Sequence, residues 1–195
     1  MKRILTICLA MLLLVASAQA QDVWCHFGLQ GGLSLNRFTT EIKDNMTGWH
    51  AGASLLIKMP AFFAVQPAVQ FEHSKSKVLD SAGQTGTLDV NTINVPIAIQ
   101  WGPDLGFCRV FAEVVPFFDF NLGGTMGETK VNDYINLFQF GTGVGAGIDI
   151  WRFQLSARYN WNFGNWQKIV SEGNPFKNMN DKKQGVSITL AYFFN

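Results

Sequence analysis

Seven charged side chains sit at positions that alternate with apolar ones: Lys58, Glu72, Arg109, Glu113, Asp119, Asp149 and Arg158. If those segments curl into a closed wall, charges of both signs face a common interior. Their simplest chemistry is mutual neutralisation, because an unpaired buried charge is very costly. A narrow solute path is the alternative use of the same set. His50 and His73 lie near Ser74 and Ser76, which are residue types of nucleophilic hydrolysis. That chemistry needs a hydroxyl and an acid at one imidazole. The constellation is thin, and a lipid-modifying enzyme is the least favoured reading, so no catalytic residue is assigned. Cys and His show no metal-ligand spacing. GxSxG, HExxH and phosphate-binding loops are absent. Gly141, Gly143, Gly145 and Gly147 do not have GxGxxG spacing; they make room for bulky neighbours such as Phe111, Phe117 and Arg158. No cofactor and no metal are expected.

The elements that position these residues begin after a leader. Lys2 and Arg3 precede an apolar run, Ile4 to Ala16, and Ala18-Gln19-Ala20 is a small-x-small site. This is the pattern of a secretory signal peptide over residues 1–20, leaving 21–195 as one domain. Without Lys2 and Arg3, thirteen basic residues face fourteen acidic ones. That balance offers nothing to a nucleic acid. No later stretch approaches the ~18 consecutive apolar residues of a spanning helix. A bilayer would have to be crossed by strands.

The period of the sequence is two. From Phe153 to Phe163, apolar or aromatic residues occupy every odd position and polar ones every even position. This is a two-faced strand, and its length suits a tilted crossing of a bilayer core. Similar alternation begins near Phe27, Trp49, Phe63, Ile93, Arg109, Phe138 and Val186, with Leu56 an exception in the second segment. The fold class expected is all-β: an eight-stranded antiparallel up-and-down transmembrane β-barrel. Short connections fall around 60–61, 102–106 and 151–152. Longer polar ones fall at roughly 37–48, 74–87, 124–136 and 164–183. That asymmetry is typical of outer-membrane barrels and puts the long connections outside the cell. Tryptophans cluster at strand ends, and Trp49, Trp101, Trp151, Tyr159, Trp161 and Tyr192 are assigned to aromatic girdles.

Two local expectations follow. Cys25 and Cys108 open the first and fifth strands, nearly opposite in an eight-strand ring. Strands ~4.8 Å apart then hold them beyond the ~7 Å Cα limit of a disulfide. The turn at Pro60-Ala61 pairs Met59 with Phe63 and Ile57 with Val65. It therefore sets His50 opposite Glu72 and Trp49 beside His73.

Four stretches carry a family resemblance: Phe27-Gly-Leu-Gln-Gly-Gly-Leu-Ser-Leu35, Ile93-Asn-Val-Pro-Ile-Ala-Ile99, Phe140-Gly-Thr-Gly-Val-Gly-Ala-Gly-Ile148 and Ala191-Tyr-Phe-Phe194. In their order the chain resembles the PorT-like outer-membrane β-barrel proteins of Bacteroidetes, small OmpX-like barrels. The resemblance implies an integral outer-membrane protein, in contact with the lipid bilayer and lipopolysaccharide and inserted by the barrel-insertion machinery. Asn195 departs from the usual aromatic last residue, which shifts the assembly signal one residue inward. The leading function is a structural or interaction role through the long loops, where function usually resides. Loop residues Trp166, Ile169, Val170 and Phe176 are candidates for packing or binding.

Overall fold

The structure is a computed structural model, and it describes residues 24–38, 46–79, 85–126, 129–130, 136–163 and 183–194. The leader and the residues singled out at 166–176 lie outside these.

The described strands are β1 (Trp24–Phe38), β2 (Met46–Lys58), β3 (Phe63–Leu79), β4 (Thr85–Trp101), β5 (Arg109–Met126), β6 (Thr129–Lys130), β7 (Phe138–Ile150), β8 (Phe153–Asn162) and β9 (Lys183–Phe193). β6 is a two-residue ladder on the end of β5. The other eight pair antiparallel in the order β4-β3-β2-β1-β9-β8-β7-β5, and a β4–β5 pairing closes the ring. Closure leaves no open edge in the wall, so strand pairing satisfies backbone polar groups where a bilayer offers no partner.

The alternation decides which face is which. Leu29, Leu33, Val69, Ile99, Val114, Val144, Leu155 and Ile188 are exposed on the outer surface. The buried residues facing the lumen are mostly polar, including six glutamines. A soluble barrel would be built the other way round. Trp49, Trp101, Trp151 and Tyr159 are exposed on the outer surface as well. Tyr159 meets Trp161 edge-on at 4.6 Å between ring centroids, and Tyr192 packs on Phe153 and Phe194 at 5.1 and 5.2 Å.

The β2–β3 register places His50 against Glu72, Trp49 against His73 and Lys58 against Ala64, as the Pro60-Ala61 turn predicts. Cys25 and Cys108 are free thiols. The connections differ from expectation. Strand pairing continues to Leu79 and from Thr85, so most of 74–87 is paired β-structure rather than loop. Ser74, assigned to a loop, lies within β3. The physical reason is that apolar–polar alternation ends where the wall leaves hydrocarbon, whereas hydrogen bonding between strands does not.

Candidate functional site in the barrel lumen

The lumen is crossed by one connected set of hydrogen bonds. Arg109 donates from Nη1 to Asp149 Oδ2 and to Gln100 Oε1, both at 3.0 Å. Asp149 also accepts from Gln154 at 2.8 Å. Arg158 donates from Nε and Nη2 to the two oxygens of Glu113, the longer bond at 3.3 Å. Gln100 contacts Glu113 at 3.4 Å and donates to Gln66 at 2.7 Å. From Gln66 the bonds run through Gln30, Gln70 and Asn94 to Asp119, which Asn162 also reaches. Six of the eight wall strands contribute.

Glycines make these contacts possible. Gly145 of β7 is opposite Glu113 on one side and Arg158 on the other. With no side chain at that rung, the arginine passes over the backbone to its carboxylate. Gly52 stands in the same way between Gln30 and Gln70, which bond at 2.8 Å. Gly32 stands between His50 and Thr189, where Nε2 and Oγ1 lie 2.9 Å apart. A Cβ on Gly141 or Gly147 would fall 2.4 Å from the rings of Phe117 or Phe111. The glycine row thus makes the room for Phe111, Phe117 and Arg158 that its spacing predicts.

The sequence-assigned charges do not form one uniform set. Arg109–Asp149 and Arg158–Glu113 are buried ion pairs. Glu72 accepts bonds from Ser34, Asn36 and Ser74, and Asp119 from Asn94 and Asn162. Lys58 stands apart. It is the last inward position of β2 and lines a small gap at the short-turn end with His26 and Arg152. Just inside that end, Leu56, Ala64, Ala191 and Phe193 form an apolar stopper. Leu56, the exception in the alternation, is an inward residue of that stopper. Toward the long-connection end, a gap of about 40 Å³ is lined by His50, Glu72, Asp119 and Arg158 among others. A space of this size holds a few waters.

The sequence reading missed the glutamines and asparagines that join the ion pairs. Their signal was present: Gln30, Gln66, Gln70, Gln100, Gln139 and Gln154 all occupy the polar parity. Among the described residues the histidine–serine constellation does not assemble: His50 Nε2 lies 2.9 Å from Thr189 Oγ1, not at a serine. Ser74 donates to Glu72 at 3.0 Å, and His73, on the opposite face of β3, bonds Asn91 at 2.7 Å. The side chain of Ser76 lies outside the described residues.

An apolar outside and a hydrogen-bonded polar inside define an integral membrane β-barrel. The chain belongs to the outer membrane protein β-barrel domain family, whose model matches residues 6–194. No curated protein matches it significantly. Among solved structures it is similar to neisserial surface protein A (NspA), with TM-score 0.52 and 11% identity, covering 89% of this chain and 100% of that one. It also matches the N-terminal barrel of Pseudomonas aeruginosa OprF, with TM-score 0.41 and 10% identity, over 86% and 97% of the two chains. The translocator domain of the autotransporter NalP from Neisseria meningitidis matches with TM-score 0.31 and 10% identity, over 99% and 97%. The NspA likeness supports the fold alone.

Proposed function

We propose that this protein is a non-conducting, non-enzymatic barrel of the outer membrane, and that its long connections carry its role by engaging a partner or the lipopolysaccharide layer. In this reading residues 1–20 are removed on export, and the short turns and both ends of the barrel domain face the periplasm. The four motifs that resemble PorT-like barrels favour that branch of the family. The barrel-insertion machinery then places the chain in the membrane.

The observation that carries the reading is the lumen network from Asp149 to Asp119, with the apolar stopper beneath it. A solute path would have to break buried, charge-assisted bonds that side chains hold on several strands. The test is single-channel recording in planar bilayers. The native protein should give no discrete conductance steps, and a variant that cuts both the network and the stopper, with Glu113, Phe117, Arg158, Leu56 and Phe193 all replaced by Ala, should give them. Steps from the native protein would overturn the reading in favour of a narrow pore.

A further inference from the structure

Arg109 and Arg158 each have a carboxylate in the lumen, and the short-turn mouth breaks that rule. His26 of β1, Lys58 of β2, Asp149 of β7, Arg152 of the β7–β8 turn and Phe193 of β9 surround one gap of about 50 Å³. Their strands are consecutive in the wall, in the order β2-β1-β9-β8-β7. Leu56 and Phe193 of the stopper form its apolar floor. His26, Lys58 and Arg152 are each half-buried, so the gap is reached from the solution at that end and closed toward the lumen.

The charges there do not cancel. Asp149 is the carboxylate of the lining, and both its oxygens are engaged, Oδ2 by Arg109 at 3.0 Å and Oδ1 by Gln154 at 2.8 Å. Among the described residues no carboxylate forms an ion pair with Lys58 or Arg152. Arg152 is nevertheless held in place. Its guanidinium lies over the Trp151 ring at 5.3 Å, Nη1 donates to Tyr192 Oη at 3.5 Å, and its carbonyl accepts from Phe193 N at 2.9 Å. A ring and a phenol orient this cation without neutralising it. Lys58, Arg109 and Arg152 therefore stand against Asp149 alone, and the mouth carries a positive surplus. An apolar floor beneath such a surplus focuses its field on an approaching anion. A guanidinium fork beside an ammonium is the donor set that carboxylate and phosphate oxygens match.

We propose that the short-turn mouth is an oxyanion site, which receives one carboxylate or phosphate group of a soluble molecule. The oxygens of the anion meet Lys58 Nζ and the terminal nitrogens of Arg152, and His26 stands beside them. The gap admits the anionic group alone. Whatever carries it stays outside the barrel, because the stopper lies directly beneath. On the orientation proposed above the anion comes from the periplasm; the site itself does not depend on that orientation.

The test is an NMR titration of the isotope-labelled full-length barrel in a non-ionic detergent, with sodium phosphate and sodium acetate added separately. Ionic strength is held constant so that general screening does not change. The reporter is the indole N–H of Trp151, which lies against Arg152. Its resonance should shift saturably with at least one of the two salts, and the tighter of them identifies the natural group as phosphate or carboxylate. Lys58→Gln and Arg152→Gln should each weaken the binding by about tenfold, the scale of one hydrogen bond to a charged group. The dispersion of the remaining amide resonances reports that each variant is folded. Lys75→Gln, an exposed cation toward the long connections, should leave the affinity unchanged. Shifts that saturate with neither salt, or an affinity that either mouth variant leaves unmoved, would mean an adventitious ion only and overturn the site.

Discussion

Glu113→Ala is the substitution that most directly tests how the lumen is held. The carboxylate side chain is fully buried and Arg158 nearly so. Glu113 takes two bonds from Arg158 and one from Gln100. Its removal leaves a guanidinium in a closed interior without its counter-charge, which costs about 3–5 kcal/mol. Replacing both partners with apolar residues, Glu113→Leu with Arg158→Met, removes the stranded charge and should cost less than Glu113→Ala alone. The measurement is equilibrium urea unfolding in detergent micelles, followed by tryptophan fluorescence and analysed as a double-mutant cycle. A loss below about 1 kcal/mol for Glu113→Ala would put the pair on the scale of solvated surface bridges. The sealed-lumen argument would then fail.

Three further outcomes are expected. Val114→Arg, at mid-band on the rung shared with Ile99 and Val144, should destabilise the folded barrel in lipid vesicles by about 2–4 kcal/mol; a neutral result would deny that this face meets hydrocarbon. Gly147→Val should lower stability by about 1–3 kcal/mol through overpacking against Phe111, with partial recovery on adding Phe111→Leu; absence of recovery would place the strain in the neighbouring backbone instead. Ala61→Gly should raise stability by about 0.5–1 kcal/mol, because Ala61 and Phe62 adopt φ of 63° and 68° and a left-handed conformation costs residues with a side chain about 1–2 kcal/mol each, part of which the freer unfolded glycine offsets. A lower unfolding midpoint for Ala61→Gly would show that the side chain contributes packing that outweighs the relief.

The parts of this molecule legible in its sequence are those fixed by a single strong requirement. Sidedness is one: a one-residue slip at Pro60-Ala61 would turn Met59 and Phe63 inward, so the register at His50 and Glu72 could be read directly. The space left by Gly141 and Gly147 is another, since Phe111 and Phe117 needed it. Strand ends were not legible, because beyond Phe71 and Ile93 apolar residues no longer keep to one face: Val90 is buried and Leu122 exposed. The bulge at Leu122, where the β4–β5 register shifts, was missed although Gly123-Gly124 within a strand marks such a site. Opposite charges on the polar parity mark Arg109, Glu113 and Arg158 as lumen partners. The neutral amides of Gln30, Gln66 and Gln100 escaped because an uncharged side chain carries no sign to match.

The four alternating glycines of β7 span six residue steps, about 20 Å of strand. Over that length one stave of the wall is bare backbone, and side chains from β5 and β8 cover it. A channel engineer would therefore not need to rebuild the barrel. Trimming Phe111, Phe117, Arg158 and Asn160, together with the amides and the stopper on the other strands, would uncover a furrow already formed along one strand, with a peptide floor and no side chains of its own on the lumen face. The same feature that lets this interior seal itself makes it a convertible scaffold, closed by its side chains rather than by the shape of its wall.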